Sequence, residues 1–201
     1  MWEIILAAGW PIWPLILASV IALAIIGERF WTLRSEFIVP QSLLPEVQKW
    51  LGQGGVTKET LSKLEQHSPL GQVFASALAN SKNSREVTKE AIEETGRAVA
   101  HNLERYLPTL GTIATVAPLL GLLGTVIGMV ELFGSFTNTG HDVAQFARGI
   151  SVALYNTAAG IIVAVPAMIA YRYFRSKVDG FLVDMEQQAV KLVEILHGER
   201  S

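Results

Sequence analysis

Hydroxyl groups, rather than acids or imidazoles, are the chemistry-bearing side chains in the most apolar parts of this sequence. Thr112, Thr115 and Thr125 lie in the run Tyr106 to Val130, and Thr157 lies in the run Gly149 to Tyr171. Neither run contains an Asp, Glu, Lys, Arg or His. A threonine hydroxyl both donates and accepts a hydrogen bond, so it suits an acid in either protonation state. The bland alternative is that each hydroxyl bonds its own backbone a turn earlier. Enzyme chemistry finds no support. His67, His101, His141 and His197 are scattered, with no Ser-His-Asp or His-Glu-x-x-His spacing and no phosphate loop. With no cysteine, disulfides, zinc–thiolate sites, iron–sulfur clusters and thiol catalysis are excluded. The expectation is a protein that is not an enzyme and binds no cofactor or metal.

Those hydroxyls need elements to hold them. Both runs are roughly 25 residues long, enough to cross a ~30 Å hydrocarbon core as a helix. A third apolar run, Ile4 to Ile26, completes a set of three spans. Half of the residues are hydrophobic and the net charge is −2, which gives no sign of a nucleic-acid binder or an acidic tail. The N-terminus opens Met1-Trp2-Glu3 without a basic region, and its apolar run is too long for a signal peptide, so it reads as a retained anchor. Trp2, Trp10 and Trp13 mark one interface and Trp31 the other. Of 16 Lys and Arg, all except Arg148 fall between residues 28 and 106 or after Tyr171. The positive-inside rule places those segments in the cytoplasm and the N-terminus outside it.

The resulting organisation is a first span over 1–27, a cytoplasmic helical domain over 28–105, a second span over 106–133, and a periplasmic loop over 134–148. A third span over 149–171 and a cytoplasmic C-terminal helix over 172–201 follow. The fold class is an all-α membrane protein, with the second and third spans extended into a cytoplasmic helical bundle. Within 28–105, Pro40 and Pro45 bracket a helix start, Gly52, Gly54 and Gly55 end it, and Ser68-Pro69 marks a further break. Asn83 or Ser84 caps the next helix, with Glu86 placed to close a capping box from Asn83. That helix is expected to run unbroken into the second span, with Gly96 and Pro108 as its weak points. The third span continues past Arg172 on the apolar series Val178, Leu182, Met185, Ala189, Leu192 and Leu196.

Small residues recur along the second and third spans. Gly121, Gly124 and Gly128 mark the second, and Gly149, Ala153 and Gly160 the third; close helix packing accounts for them. Pro118 and Pro166 sit inside spans, where a kink is tolerated if neighbours or water satisfy the freed carbonyls.

Two strings carry a resemblance: Ala117-Pro118-Leu119-Leu120-Gly121-Leu122-Leu123-Gly124-Thr125-Val126-Ile127-Gly128-Met129, and Gly149-Ile150-Ser151-Val152-Ala153-Leu154-Tyr155-Asn156-Thr157-Ala158-Ala159-Gly160 with Val165-Pro166-Ala167. The chain resembles the MotA/TolQ/ExbB proton-channel family, nearest to its ExbB branch. The match covers its length, topology and order of spans. The resemblance implies a bacterial inner-membrane homopentamer enclosing single-span helices of an ExbD-like partner with an intramembrane Asp. Proton flow would be coupled to movement of that partner, and a TonB-like transducer would carry energy to the outer membrane. Thr125 and Thr157 match the family's pore-lining threonines. Where ExbB and TolQ proteins often carry a glutamate in the third span, this chain has Val152. No acid lies deep in any span, since Glu28 and Glu131 sit at span ends. If protons move, the carboxylate must therefore come from the partner. A TolQ-like role in envelope integrity and a non-conducting scaffold remain as alternatives; beyond the protein partners, only membrane lipids and no nucleic acid are expected.

Overall fold

The computed structural model describes residues 9–52, 56–135 and 143–197. The described residues form helices and connecting turns: α1 (Ile12–Thr32), α2 (Ser35–Ile38), α3 (Leu43–Gly52), α4 (Lys58–His67), α5 (Pro69–Ala79), α6 (Arg85–Glu104), α7 (Leu107–Ser135) and α8 (Val143–Leu196). The chain divides into two compact units, one of residues 1–28 with 106–173, the other of residues 29–105 with 174–201.

The first unit is built around long charge-free runs. In hydrocarbon every backbone N–H and C=O has to be bonded within the segment, which makes helix the only open choice for such runs. Three helices are long and apolar enough to cross a membrane: Ile12–Thr32, Leu107–Gly134 and the helix that includes Gly149. On α1, Leu15 is buried against Ala117 of α7 and Ala164 of α8, with Leu120, Ala159 and Val163 packed around them. Ile12, Ala22 and Ile25 of α1 are buried as well, while Trp13, Leu17, Leu23 and Trp31 point outward. Near its end the guanidinium of Arg34 stacks 4.6 Å from the centre of the Trp31 ring. Pro118 and Pro166 both lie inside continuous helix.

The second unit is a helical bundle centred on α5, where Leu70, Val73, Phe74, Ala77 and Leu78 are buried. Ser68 links two helices by ending α4 and capping α5, its Oγ accepting from the Gly71 N–H at 3.0 Å. Arg29 is buried and donates to the Leu103 carbonyl at 3.3 Å, satisfying one of the last carbonyls of α6. Phe174, Val178 and Leu192 of α8 are buried in the same unit.

Three expectations about helix boundaries change. The helix leading to the second span is not continuous: α6 stops at Glu104, Tyr106 has a φ of 68°, and α7 begins at Leu107. Pro108 favours a break here. A continuous helix would need an N–H at that position for the Glu104 carbonyl, which proline lacks, and its ring would collide there. In the first turn of a new helix neither problem arises. The cap of α6 is Ser84 and not Asn83: Ser84 Oγ accepts from the Val87 N–H at 3.4 Å. Asn83 instead donates through Nδ2 to Asn80 Oδ1 at 3.1 Å, closing the preceding turn, so the Asn83–Glu86 capping box does not form. Third, α8 begins at Val143, which puts Arg148 on helix rather than in a loop. Gly54, Gly55, Trp2, His141 and Asp142 lie outside the described residues.

Glu86 sits in the first turn of α6, where its own backbone N–H and then the Ser84 hydroxyl hold its carboxyl below the usual range. Its small stabilising effect is therefore present above the ordinary carboxylate pKa and fades as pH falls through the lowered one. Ser84→Ala should lower the stability of this helix start by about 1 kcal/mol. Thermal unfolding of the purified protein checks it, and an unchanged midpoint would show the cap to be idle.

Candidate functional site

Where α7 and α8 cross, the chain has removed side chains rather than added them. A Cβ on Gly121 would lie 2.7 Å from the Asn156 carbonyl oxygen, and one on Gly160 would lie 2.6 Å from that of Ala117. One turn along, a Cβ on Gly124 would fall 2.7 Å from both Cβ and Cγ of Asn156. Gly128 then meets Ala153, with 3.4 Å between Cβ positions, and Gly149 meets Leu132. Rising numbers on α7 thus pair with falling numbers on α8: the helices run antiparallel, and the small residues form one seam. Backbones this close bring buried main-chain carbonyls within reach of short polar side chains.

Thr125 and Thr157 occupy that seam. Their Oγ1 atoms are 2.5 Å apart and both residues are partly buried. Two carbonyls complete the cluster. Thr125 Oγ1 lies 3.2 Å from Gly121 O, on its own helix, and 3.3 Å from Ala153 O, on the other. Thr157 Oγ1 lies 3.4 Å from Gly121 O. The two hydroxyls have only two hydrogens to give, and more acceptor positions than that surround them. Such a pair can receive a hydrogen bond from a protonated acid, or turn a hydroxyl hydrogen toward an ionised one.

Thr112 and Thr115 behave differently. Both are exposed, and their hydroxyls bond back to their own helix: Thr112 to Pro108 O at 2.9 Å, and Thr115 to Gly111 O at 3.1 Å and Thr112 O at 3.0 Å. For these two the local reading holds. Among the described residues no group of three or more His, Cys, Asp or Glu side chains is placed to hold a metal. Glu131 is exposed near the end of α7.

Asn156, neither an acid nor a hydroxyl, also belongs to this cluster of residues. Its side chain is 1 % exposed and fills the notch at Gly124, next in sequence to one member of the hydroxyl pair and facing the neighbour of the other. The available signal was a carboxamide inside a charge-free run, a residue type that is costly to bury in hydrocarbon.

Residues 65–187 match the MotA/TolQ/ExbB proton channel family. An ExbB-like biopolymer transport protein of Synechocystis sp. is 31 % identical over 171 residues, covering 83 % of this chain and 67 % of that protein. A biopolymer transport protein ExbB homolog of Methanothermobacter thermautotrophicus is 34 % identical over 146 residues, 72 % of this chain and about half (51 %) of that protein. The Tol-Pal system protein TolQ of Haemophilus influenzae is 32 % identical over 97 residues, 48 % of this chain and 42 % of that protein.

Proposed function

This chain belongs to the MotA/TolQ/ExbB proton channel family, and from that premise we propose that it is an ExbB-like subunit of a proton-driven motor in a bacterial inner membrane. It is a multi-pass membrane protein with three helices long and apolar enough to span a bilayer. In this reading several copies, five by resemblance, surround single-span helices of an ExbD-like partner bearing an intramembrane Asp. A TonB-like transducer then draws work from the proton gradient. The observation that carries the proposal is the Thr125–Thr157 pair, set between two spans with no acid deep in either. The wall supplies adaptable hydroxyls, and the titrating carboxylate belongs to the partner. A TolQ-like role is the second reading, favoured by the similarity to the Haemophilus TolQ protein; the two differ in which outer-membrane system receives the energy.

Co-purification tests the partner: a single-span protein with an intramembrane Asp should come down with this chain, and a tightly held partner lacking any such acid would sink the motor reading in favour of a scaffold. Cysteine labelling tests the geometry. Residues of α7 and α8 should line the axis, and α1, with its outward Trp and Leu side chains, should face lipid. Labelling that put α1 on the axis would overturn the assignment. For orientation, His141→Cys should react with an impermeant thiol reagent from the periplasm; reaction only after the inner membrane is opened would reverse the topology.

A further inference from the structure

In the unit that holds the three spans, Asn156 is the one fully buried polar side chain among the described residues. An apolar side chain would fill the same notch without any polar group to satisfy, so mere filling of a notch does not account for a buried amide here. Its position does. Asn156 and Thr157 are consecutive on α8, and Gly124 and Thr125 are consecutive on α7. The Asn156 side chain occupies the volume a Gly124 Cβ would need, and its own carbonyl occupies that of a Gly121 Cβ. One residue therefore engages both glycines that precede Thr125 on the seam. Rotating either helix would withdraw the wedge and turn the hydroxyls away from each other.

We propose that Asn156 is the positioning residue of the hydroxyl pair: its buried carboxamide locks α7 against α8 in the register that joins Thr125 to Thr157. The inference rests on the pathway reading above for its functional half and on geometry for its structural half. The chain has no cysteine, so a reporter pair is simple to place. Gly128→Cys with Ala153→Cys sets Cβ atoms near 3.4 Å apart, close to the roughly 3.5–4.5 Å of a disulfide. In that background, Asn156→Ala and Asn156→Leu should slow cross-linking at least fivefold. Without the cysteines, the same substitutions should lower proton-driven activity at least fivefold at an unchanged membrane level. Asn156→Asp keeps the shape, but it matches the amide's donor and acceptor only while its carboxyl carries a proton. At low pH it should therefore recover more cross-linking and activity than Asn156→Leu, a side chain of similar size with no polar group, which a filler of space would not produce.

Parental cross-linking and activity in Asn156→Leu would overturn the proposal, as would an Asn156→Asp variant that recovers no more of either at low pH than Asn156→Leu. If Thr125→Val and Thr157→Val retain full activity, the pathway reading fails by itself, and the cross-linking rates alone then judge Asn156.

Discussion

Valine at position 125 or 157 should reduce proton-driven work tenfold or more while the protein still assembles in the membrane. The substitution keeps the branched shape and deletes the hydroxyl. Each hydroxyl is bonded to the other and lies within reach of the Gly121 carbonyl, so either change dismantles the cluster. A charge at mid-membrane costs about 3 kcal/mol on insertion scales, whereas a proton crossing 100 mV gains about 2.3 kcal/mol electrically. An uncompensated carboxylate would consume that whole gain. A hydrogen bond to a charged group contributes about 1.5–3 kcal/mol, which is tenfold or more in rate. Proton-dependent activity in cells, with native gels to follow assembly, reads the outcome. Thr→Ser should retain most of it. Normal work by both valine variants would make these threonines packing residues and end the pathway assignment.

Gly121→Val and Gly160→Val should fail at an earlier stage, with little assembled protein recovered. At each position even the first carbon of a side chain would fall 2.6–2.7 Å from a backbone carbonyl oxygen, which cannot swing aside as a flexible side chain can. Overpacking of this kind costs about 1–3 kcal/mol per site, and the helices have to separate to relieve it. Gly96→Ala and Gly180→Ala form the internal control. A Cβ at either meets nothing within 4 Å, and alanine favours helix over glycine by about 1 kcal/mol. Those two should express as well as the parent or better. Equal recovery of all four variants would mean that the seam does not hold the spans together.

Much of this was legible in the amino acids. Charge-free runs announced three spans because a bilayer admits few other solutions, and the family strings singled out Thr125 and Thr157, which the fold sets side by side. What escaped was decided by single atoms. Pro108 reads as a weak point within a helix or as the second residue of a new one, and the Tyr106 backbone resolves that in favour of a break. Asn83 and Ser84 are both good caps; the turn at Asn80 claims the first and leaves the second. Asn156 was hidden for a different reason. Its meaning depends on Gly124, on another helix, and no periodicity within one segment reports a contact across two.

The crowding of oxygens around Thr125 and Thr157 has a consequence for timing. One arrangement has Thr157 donating to Thr125, which donates in turn to Gly121 O or Ala153 O; the reverse has Thr125 donating to Thr157, which donates to Gly121 O. Each uses both hydrogens, and the two differ by rotation about C–O bonds with no displacement of any carbon, nitrogen or oxygen. The cluster is in this respect like a fragment of ice, its dipole reversible inside a rigid frame. Side-chain reorientation belongs to the picosecond-to-nanosecond range, whereas helices shift over microseconds or longer. The local polarity can therefore follow a change of charge beside it well before any helix moves.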